Sequence, residues 1–302
     1  MDLSDRYRLA GKSDRPYVKN ELDAVAYVAF RMPATYAAMH SVMGQLRLRM
    51  PDWSPDSLLD VGAGPGTSLW AASRYWSQLR SNTLIDGDKH MAEIGRRLAA
   101  RSDEEVLSSA GWRSNWFGAE NSLPGSDLVV AGYVLNELPS EDLMSSVVRL
   151  WGATDGALII VEPGTPAGFD IVRNTRRHLI SLGARIVAPC PHDDRCPMAG
   201  GDWCHFSARL ARSRLHLSVK PGDAGFEDEK FSYVVAIRGD GEPAPARIVR
   251  HPYYRRKMIE LQLCTPSGLE RAVLTRRKDS DRYRLARSAS WGDEFPLDEG
   301  SS

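Results

Sequence analysis

The chain has 302 residues, 39 Lys and Arg balanced by 39 Asp and Glu, with 42% hydrophobic and 26% charged residues. Those values exclude a mainly disordered, collagenous or membrane-embedded chain, and the length suits two domains or one large domain with additions. Four Cys are too few for a disulfide-built scaffold.

The N-terminus, MDLSDRYRLAGKSDRPY, is charged and lacks the apolar stretch of a signal peptide. No apolar run is long enough to span a bilayer. Without a targeting segment, the expected location is the cytoplasm of a bacterium. Glu21 to Arg49 reads as helical, with apolar residues at helical spacing (Val25, Val28, Ala29, Met32, then Tyr36, Met39, Met43, Leu46). Pro33 starts a second helix there, since proline fits a first turn.

From residue 57 strands alternate with helices. Strands are expected at Ser57–Val61, Asn82–Asp86, Ser126–Gly132, Ala157–Glu162 and Ala184–Ala188. Helices are expected at Thr67–Leu79, Met91–Arg101, Leu138–Trp151 and Ala167–Leu182. Such alternation predicts an α/β fold with a parallel sheet covered on both faces. Residues 189–211, rich in Pro, Asp, Gly, Cys and His, break the pattern and read as an irregular insertion. Strands resume at Leu215–Val219 and Phe231–Arg238, and Gly239–Pro245 reads as a linker. Met258–Cys264 and Leu269–Thr275 flank Thr265-Pro266-Ser267-Gly268, a predicted hairpin. SDRYRLA occurs at 4–10 and again at 280–286, but two copies do not make a repeat architecture. The expected organisation is an N-terminal helical region at 1–54, an α/β domain at 55–238 that contains the insertion, and a basic β extension at 239–302.

Three patterns carry chemistry. In Asp60-Val61-Gly62-Ala63-Gly64-Pro65-Gly66-Thr67, glycines at a strand-to-helix turn let backbone approach a ligand closely. An acid at Asp60 repels a diphosphate and suits a cationic amino-acid moiety, so the spacing argues against a dinucleotide. Asp86, closing the second strand, is positioned for ribose hydroxyls, with Asp88 beside it for the adenosine edge. This combination resembles the class I S-adenosylmethionine-dependent methyltransferases over residues 57–190. By the same likeness Glu120 and Asn121 approach the adenine, and Tyr133, Asn136 and Glu137 line the pocket. The Pro-Pro clamp of base-modifying methyltransferases is absent after Tyr133, and no catalytic base is assigned.

Cys190, Cys196 and Cys204 lie within 15 residues, and Cys264 sits at the hairpin. Three Cys in a polar Pro/Gly loop point to metal-binding thiolates. The spacing lacks zinc knuckles; an iron–sulfur cluster on four thiolates and a Cys3His zinc site using His192 or His205 both remain open.

The third pattern is the tail. Arg238 to Arg287 holds 13 Arg and Lys against 6 acids. Arg250, Arg255, Arg256 and Lys257 interleave with Tyr253 and Tyr254, and Arg276 and Arg277 continue the run, a composition suited to phosphate contact and base stacking.

The block from Ala188 to Phe206 resembles the methyltransferase-like assembly factors of the small ribosomal subunit, found in mitochondria and bacteria. Tyr27–Tyr36, Tyr133–Leu138, Glu162–Thr165 and Ala289–Asp293 add to the likeness. It implies a [4Fe–4S] cluster on Cys190, Cys196, Cys204 and Cys264, with zinc the lesser alternative. It implies rRNA and the assembling small subunit as partners; no membrane partner is expected from the sequence, and a monomer is expected off the ribosome. It also implies an S-adenosylmethionine pocket at Asp60, Gly62, Gly64, Gly66, Asp86, Asp88 and Tyr133, whose use in turnover the family leaves open. The alternative is an active rRNA methyltransferase.

Overall fold

The computed structural model describes residues 18–115, 122–212 and 225–297. Asn20 caps the first helix, α1 (Glu21–Phe30), by accepting from the Asp23 amide. Pro33 then lies in the first turn of α2 (Met32–Arg49). Seven residues of α2 are buried, and Ala38, Met39, Val42, Met43 and Leu46 join the main core. The N-terminal helices are thus part of the domain that follows.

That domain runs β1 (Ser57–Val61), α3 (Thr67–Ala72), β2 (Ser81–Ile85), α4 (Lys89–Ala99), α5 (Glu105–Ser108), β3 (Gly111–Arg113) and β4 (Ser126–Gly132). It continues with α6 (Leu143–Gly152), β5 (Thr154–Pro163), α7 (Pro166–Ser181), β6 (Arg185–Ala188), β7 (Phe206–Ala211) and β8 (Phe226–Ile237). The sheet order is β3-β2-β1-β4-β5-β8-β6, with β7 also paired to β8. β1 to β5 are parallel to one another, and β8 enters antiparallel between β5 and β6. This is a Rossmann-like methyltransferase fold with a mixed sheet, as expected. Its order reverses between β1 and β4, where such sheets open a binding crevice at the carboxyl ends of their strands.

Period-2 alternation explains why the central strands are apolar throughout. In β5, Ala157, Ile159 and Val161 enter the core shared with α2 and α3, while Leu158 and Ile160 enter the core under α6 and α7. The remaining chain builds a second sheet from β9 (Arg247–Ile248), β10 (Tyr253–Arg255), β11 (Met258–Thr265) and β12 (Gly268–Thr275). It is closed by α8 (Ser280–Ala286), the second SDRYRLA copy. Ile248, Ile259, Leu261, Leu263, Leu274 and Phe295 form its own core.

Several elements differ from expectation. The helix expected to reach Leu79 stops at Ala72, because tight turns carry the chain inward and bury Trp76 at 1% exposure. The helix expected from Leu138 starts at Leu143; Leu138 is extended ahead of Pro139, and a single 3-10 turn, Leu135–Glu137, precedes it. The insertion read as irregular over 189–211 ends in a true strand, β7, recruited by the N-terminal half of β8. The short edge strand β3 carries no periodic signal in the sequence. Leu215–Val219, Glu120 and Asn121, and the first SDRYRLA copy lie outside the described residues.

Candidate functional site

The crevice is built where β1 meets its glycine turn. Gly62, Gly64 and Gly66 all have positive φ (71°, 55° and 81°). At Gly62 a Cβ would also meet Val134 Cγ2 at 2.5 Å, so both the turn and the packing require glycine. Gly62 and Ala63 amides donate to Ile85 O at 2.9 and 3.1 Å, holding the turn against β2. The Gly64 amide donates to Asp86 Oδ2 at 2.7 Å, and the Asp88 amide to Asp86 Oδ1 at 2.7 Å. Asp88 itself is the N-cap of α4: its Oδ1 accepts from the His90 and Met91 amides at 2.8 and 3.1 Å. Its side chain therefore serves the helix first.

Asp60 is fully buried, and neither carboxylate oxygen has a hydrogen-bond partner of normal geometry. Burial pushes it up to about 7, with Ser68 nearby offsetting part of the rise and Asp86 adding to it. Burial also raises Asp86, against the two amides that hold it down. Glu137, in the 3-10 turn, is pushed to about 8 by burial and by Asp86. Glu162, at the end of β5, is also at about 8 through burial, although it accepts from Leu135 N at 2.9 Å and Asn136 Nδ2 at 2.7 Å. A crevice with this excess of buried acid and an orphaned carboxylate fits a ligand carrying fixed positive charge, such as a sulfonium with an ammonium group.

A second cluster covers the far side. Tyr133 has φ 59°, and its hydroxyl donates to Glu229 Oε1 at 3.1 Å. Arg31, at the α1–α2 junction, grips the same Glu229 bidentately, both contacts at 2.7 Å. Burial raises Tyr133 well above a phenol's ordinary range, and Glu229 adds to it. Sequence reasoning placed Tyr133 here but missed Arg31 and Glu229. Arg31 lies within the quoted Tyr27–Tyr36 block; Glu229 carries no local signal, because β8 is brought beside β5 only by topology.

The four Cys converge. Cys190 follows β6, Cys196 and Cys204 sit in the loop before β7, and Cys264 is on β11, yet all four line one cavity of about 40 Å³. None is in a disulfide. Burial raises Cys190, Cys204 and Cys264, the last to about 12, and neighbouring thiols add to each. Phe169, Met198 and Val249 pack around them, so the cavity is the seam between the two sheets. Among the described residues, no group of three or more His, Cys, Asp or Glu is gathered closely enough to grip one ion. The cavity exceeds the ~10–15 Å³ that holds a single water, so the four donors surround a space suited to a larger group. His205 stacks on Trp203 and meets Trp291 edge-on, at centroid distances of 5.1 and 4.6 Å. His192 Nε2 lies 3.8 Å from Cys264 Sγ. Four thiols at one cavity fit a thiolate-ligated centre, with His192 the imidazole beside them.

The basic residues divide. Arg250 turns inward: it ion-pairs with Asp202 and donates to Val249 O, clamping the cysteine loop to the second sheet. Arg255, Arg256, Lys257, Arg276 and Arg277 are exposed. The β11–β12 register pairs Met258 with Thr275, which sets Lys257 beside Arg276 at the open end of the hairpin. Tyr253 and Tyr254 are 55% and 54% exposed on the adjoining strand, and the Arg255 guanidinium lies 5.0 Å from the Tyr253 ring centroid.

A family model described as mitochondrial small ribosomal subunit Rsm22 matches residues 21–296. The human ribosome assembly protein METTL17, mitochondrial, is 32% identical over 292 residues, which cover 91% of this chain and 62% of that protein. The Rsm22-cox11 tandem protein 2, mitochondrial, of Schizosaccharomyces pombe is 26% identical, covering 95% and 45%. The chain thus spans less than two thirds of these relatives' length. Among solved structures, magnesium protoporphyrin IX methyltransferase from Synechocystis is similar with TM-score 0.46 and 14% identity, over 78% of this chain and 94% of that one. The expected bacterial cytoplasm is overturned by these relatives, which are named as mitochondrial proteins.

Proposed function

The chain belongs to the family of the mitochondrial small ribosomal subunit protein Rsm22, and from that premise we propose that it is an assembly factor that binds small-subunit rRNA. The observation that carries this reading is the convergence of four distant thiols on the seam between the methyltransferase-like sheet and the basic second sheet. Cys190, Cys196, Cys204 and Cys264 would hold a [4Fe–4S] cluster, which supplies a covalent joint across that seam. The exposed Arg255, Arg256, Lys257, Arg276 and Arg277, with Tyr253 and Tyr254, would meet phosphates and unstacked bases. In the crevice Asp60 and Asp86, with the glycine turn, would hold S-adenosylmethionine, whose sulfonium supplies a transferable methyl and a positive charge for Asp60.

Turnover is the less favoured reading. Glu229 is held by Arg31 and Tyr133, and this latch commits the Tyr133 hydroxyl proton to Glu229, so that it is not free to orient a nucleophile. A binding role with the cofactor as support accounts for the same residues. The test pairs two measurements. Charge reversal at Arg256 and Arg277 should weaken binding to small-subunit rRNA and flatten its salt dependence by ~0.7 in log–log slope per lost phosphate contact. Unchanged slopes would reject the tail as the RNA face. Incubation with labelled S-adenosylmethionine and immature small-subunit RNA should leave the RNA unlabelled; stoichiometric transfer would reinstate the enzyme.

A further inference from the structure

Two arginines beside the thiol cavity are buried without a carboxylate partner, unlike three less buried arginines nearby in the fold. Arg31 pairs with Glu229, Arg49 with Glu294 and Arg250 with Asp202. Arg176, on α7, is 4% exposed and Arg247, on β9, is 1% exposed, and both line the cavity. Neither takes part in an ion pair among the described residues. Their hydrogen bonds to oxygen go to neutral acceptors, and Arg176 also lies against the Cys190 thiol. Arg176 donates to Asp194 O at 2.8 Å and His192 O at 2.5 Å. Arg247 donates to Pro189 O at 3.0 Å, Gln45 Oε1 at 2.6 Å and Gly292 O at 2.8 Å. Arg176 Nε and Arg247 Nη2 remain buried with no oxygen or nitrogen to receive them.

A guanidinium does not shed its proton in a protein, and a buried unpaired charge is strongly unfavourable. Two fixed positive charges at one cavity therefore require two negative ones. Four thiolates on a [4Fe–4S] core of charge 2+ carry a net charge of two minus, and so do four thiolates on a zinc ion. We infer that Arg176 and Arg247 are the counter-cations of the four-thiolate centre, with Arg176 Nε and Arg247 Nη2 as hydrogen-bond donors to its sulfurs. The inference rests on the reading that the four Cys bind metal. It assigns the pair a double task. The carbonyl-directed N–H groups hold the 190–196 loop in place, and the spare N–H groups face the anionic centre. Charge and hydrogen bonds at the sulfurs also set a cluster's reduction potential, so the two arginines bias this cluster toward its reduced form.

The test uses the full chain prepared without oxygen with its native metal. R176M and R247M are compared with R176K and R247K. Metal retention is read by chelator competition, and for iron the midpoint potential is read by spectroscopic redox titration. Loss of a group supporting the ligands should weaken retention ~10–100-fold in each Met variant and lower the potential. The Lys variants, which keep the charge, should lie between the Met variants and the parent. A metal-loaded R176M or R247M with parental retention and potential overturns the inference. If the Met variants bind no metal, the Lys variants decide: loading supports the counter-charge role, and equal failure overturns it in favour of loop anchoring alone. A protein loaded with zinc rejects the iron–sulfur reading and leaves retention to judge the arginines. A chain whose four Cys bind neither metal rejects the reading beneath both.

Discussion

Arg31→Ala should destabilise the protein through Glu229 rather than through the lost arginine contacts. Glu229 is 7% exposed on β8, and Arg31 supplies both of its bidentate partners at 2.7 Å. Removing one partner of a fully buried pair costs ~3–5 kcal/mol, whereas an exposed pair is worth ~0.2–1 kcal/mol. The Arg31 side chain is 36% exposed against 9% for Glu229, so water reaches the pair from one side and the expected loss is about 1.5–3 kcal/mol. At ~2 °C per kcal/mol for a chain of this size, the melting temperature should fall by about 3–6 °C. The assay is a double-mutant cycle with Glu229→Gln, read by thermal unfolding. The substituted amide carries no charge and can still accept from the Tyr133 hydroxyl, so Glu229→Gln should cost less than Arg31→Ala. The double variant should recover at least ~1 kcal/mol relative to the sum. Additivity within ~0.5 kcal/mol would mean that the two residues act independently, and the latch would be no more than a crossing of side chains.

Two further outcomes follow from the crevice. Asp60 is raised from 3.8 to about 7, so the folded ligand-free protein holds a proton there that the unfolded chain has released; its contribution to stability falls as pH rises from about 4 to about 7. Asp60→Asn should remove that slope, on the order of 2–4 kcal/mol between the two limits, when urea unfolding is compared at pH 5 and pH 8; parallel profiles for variant and parent would refute the assignment. Gly62→Ala combines a left-handed φ with a Cβ 2.5 Å from Val134 Cγ2, and should cost ~2–4 kcal/mol. Gly64→Ala, whose Cβ would meet only Met91 Cε at 3.6 Å, should cost ~1–2 kcal/mol; equal losses in a denaturant titration would contradict the packing argument.

The features legible in the sequence are those written locally. The glycine turn, Asp60 and Asp86 follow from strand ends and turn chemistry, and the four Cys stand out because a polar Pro/Gly loop has no packing use for them. The partners that make these residues work come from far along the chain. Glu229 meets Arg31 across 198 positions, and Arg247 meets Gln45 across 202. No periodicity reports such pairs, since each residue in its own segment reads as an ordinary surface charge. The tail shows the same limit: Arg250 and Arg256 look alike in sequence, but one is spent on Asp202 and the other faces solvent. The helix end at Ala72 and the helix start at Leu143 are set by tertiary burial of Trp76 and by Pro139, against a local pattern that allows longer helices.

The insertion of β8 between β5 and β6 has a consequence for how the chain is made. β5 has β4 on one side as soon as residue 163 is synthesised, but its other neighbour is completed only at Ile237. Until then the run Ala157–Val161 presents an unpaired apolar edge, the kind of strand that templates aggregation. Its closure also waits on a long-range pairing, which makes it a slow step. Vectorial synthesis should therefore leave this edge open for the time needed to deliver more than seventy further residues.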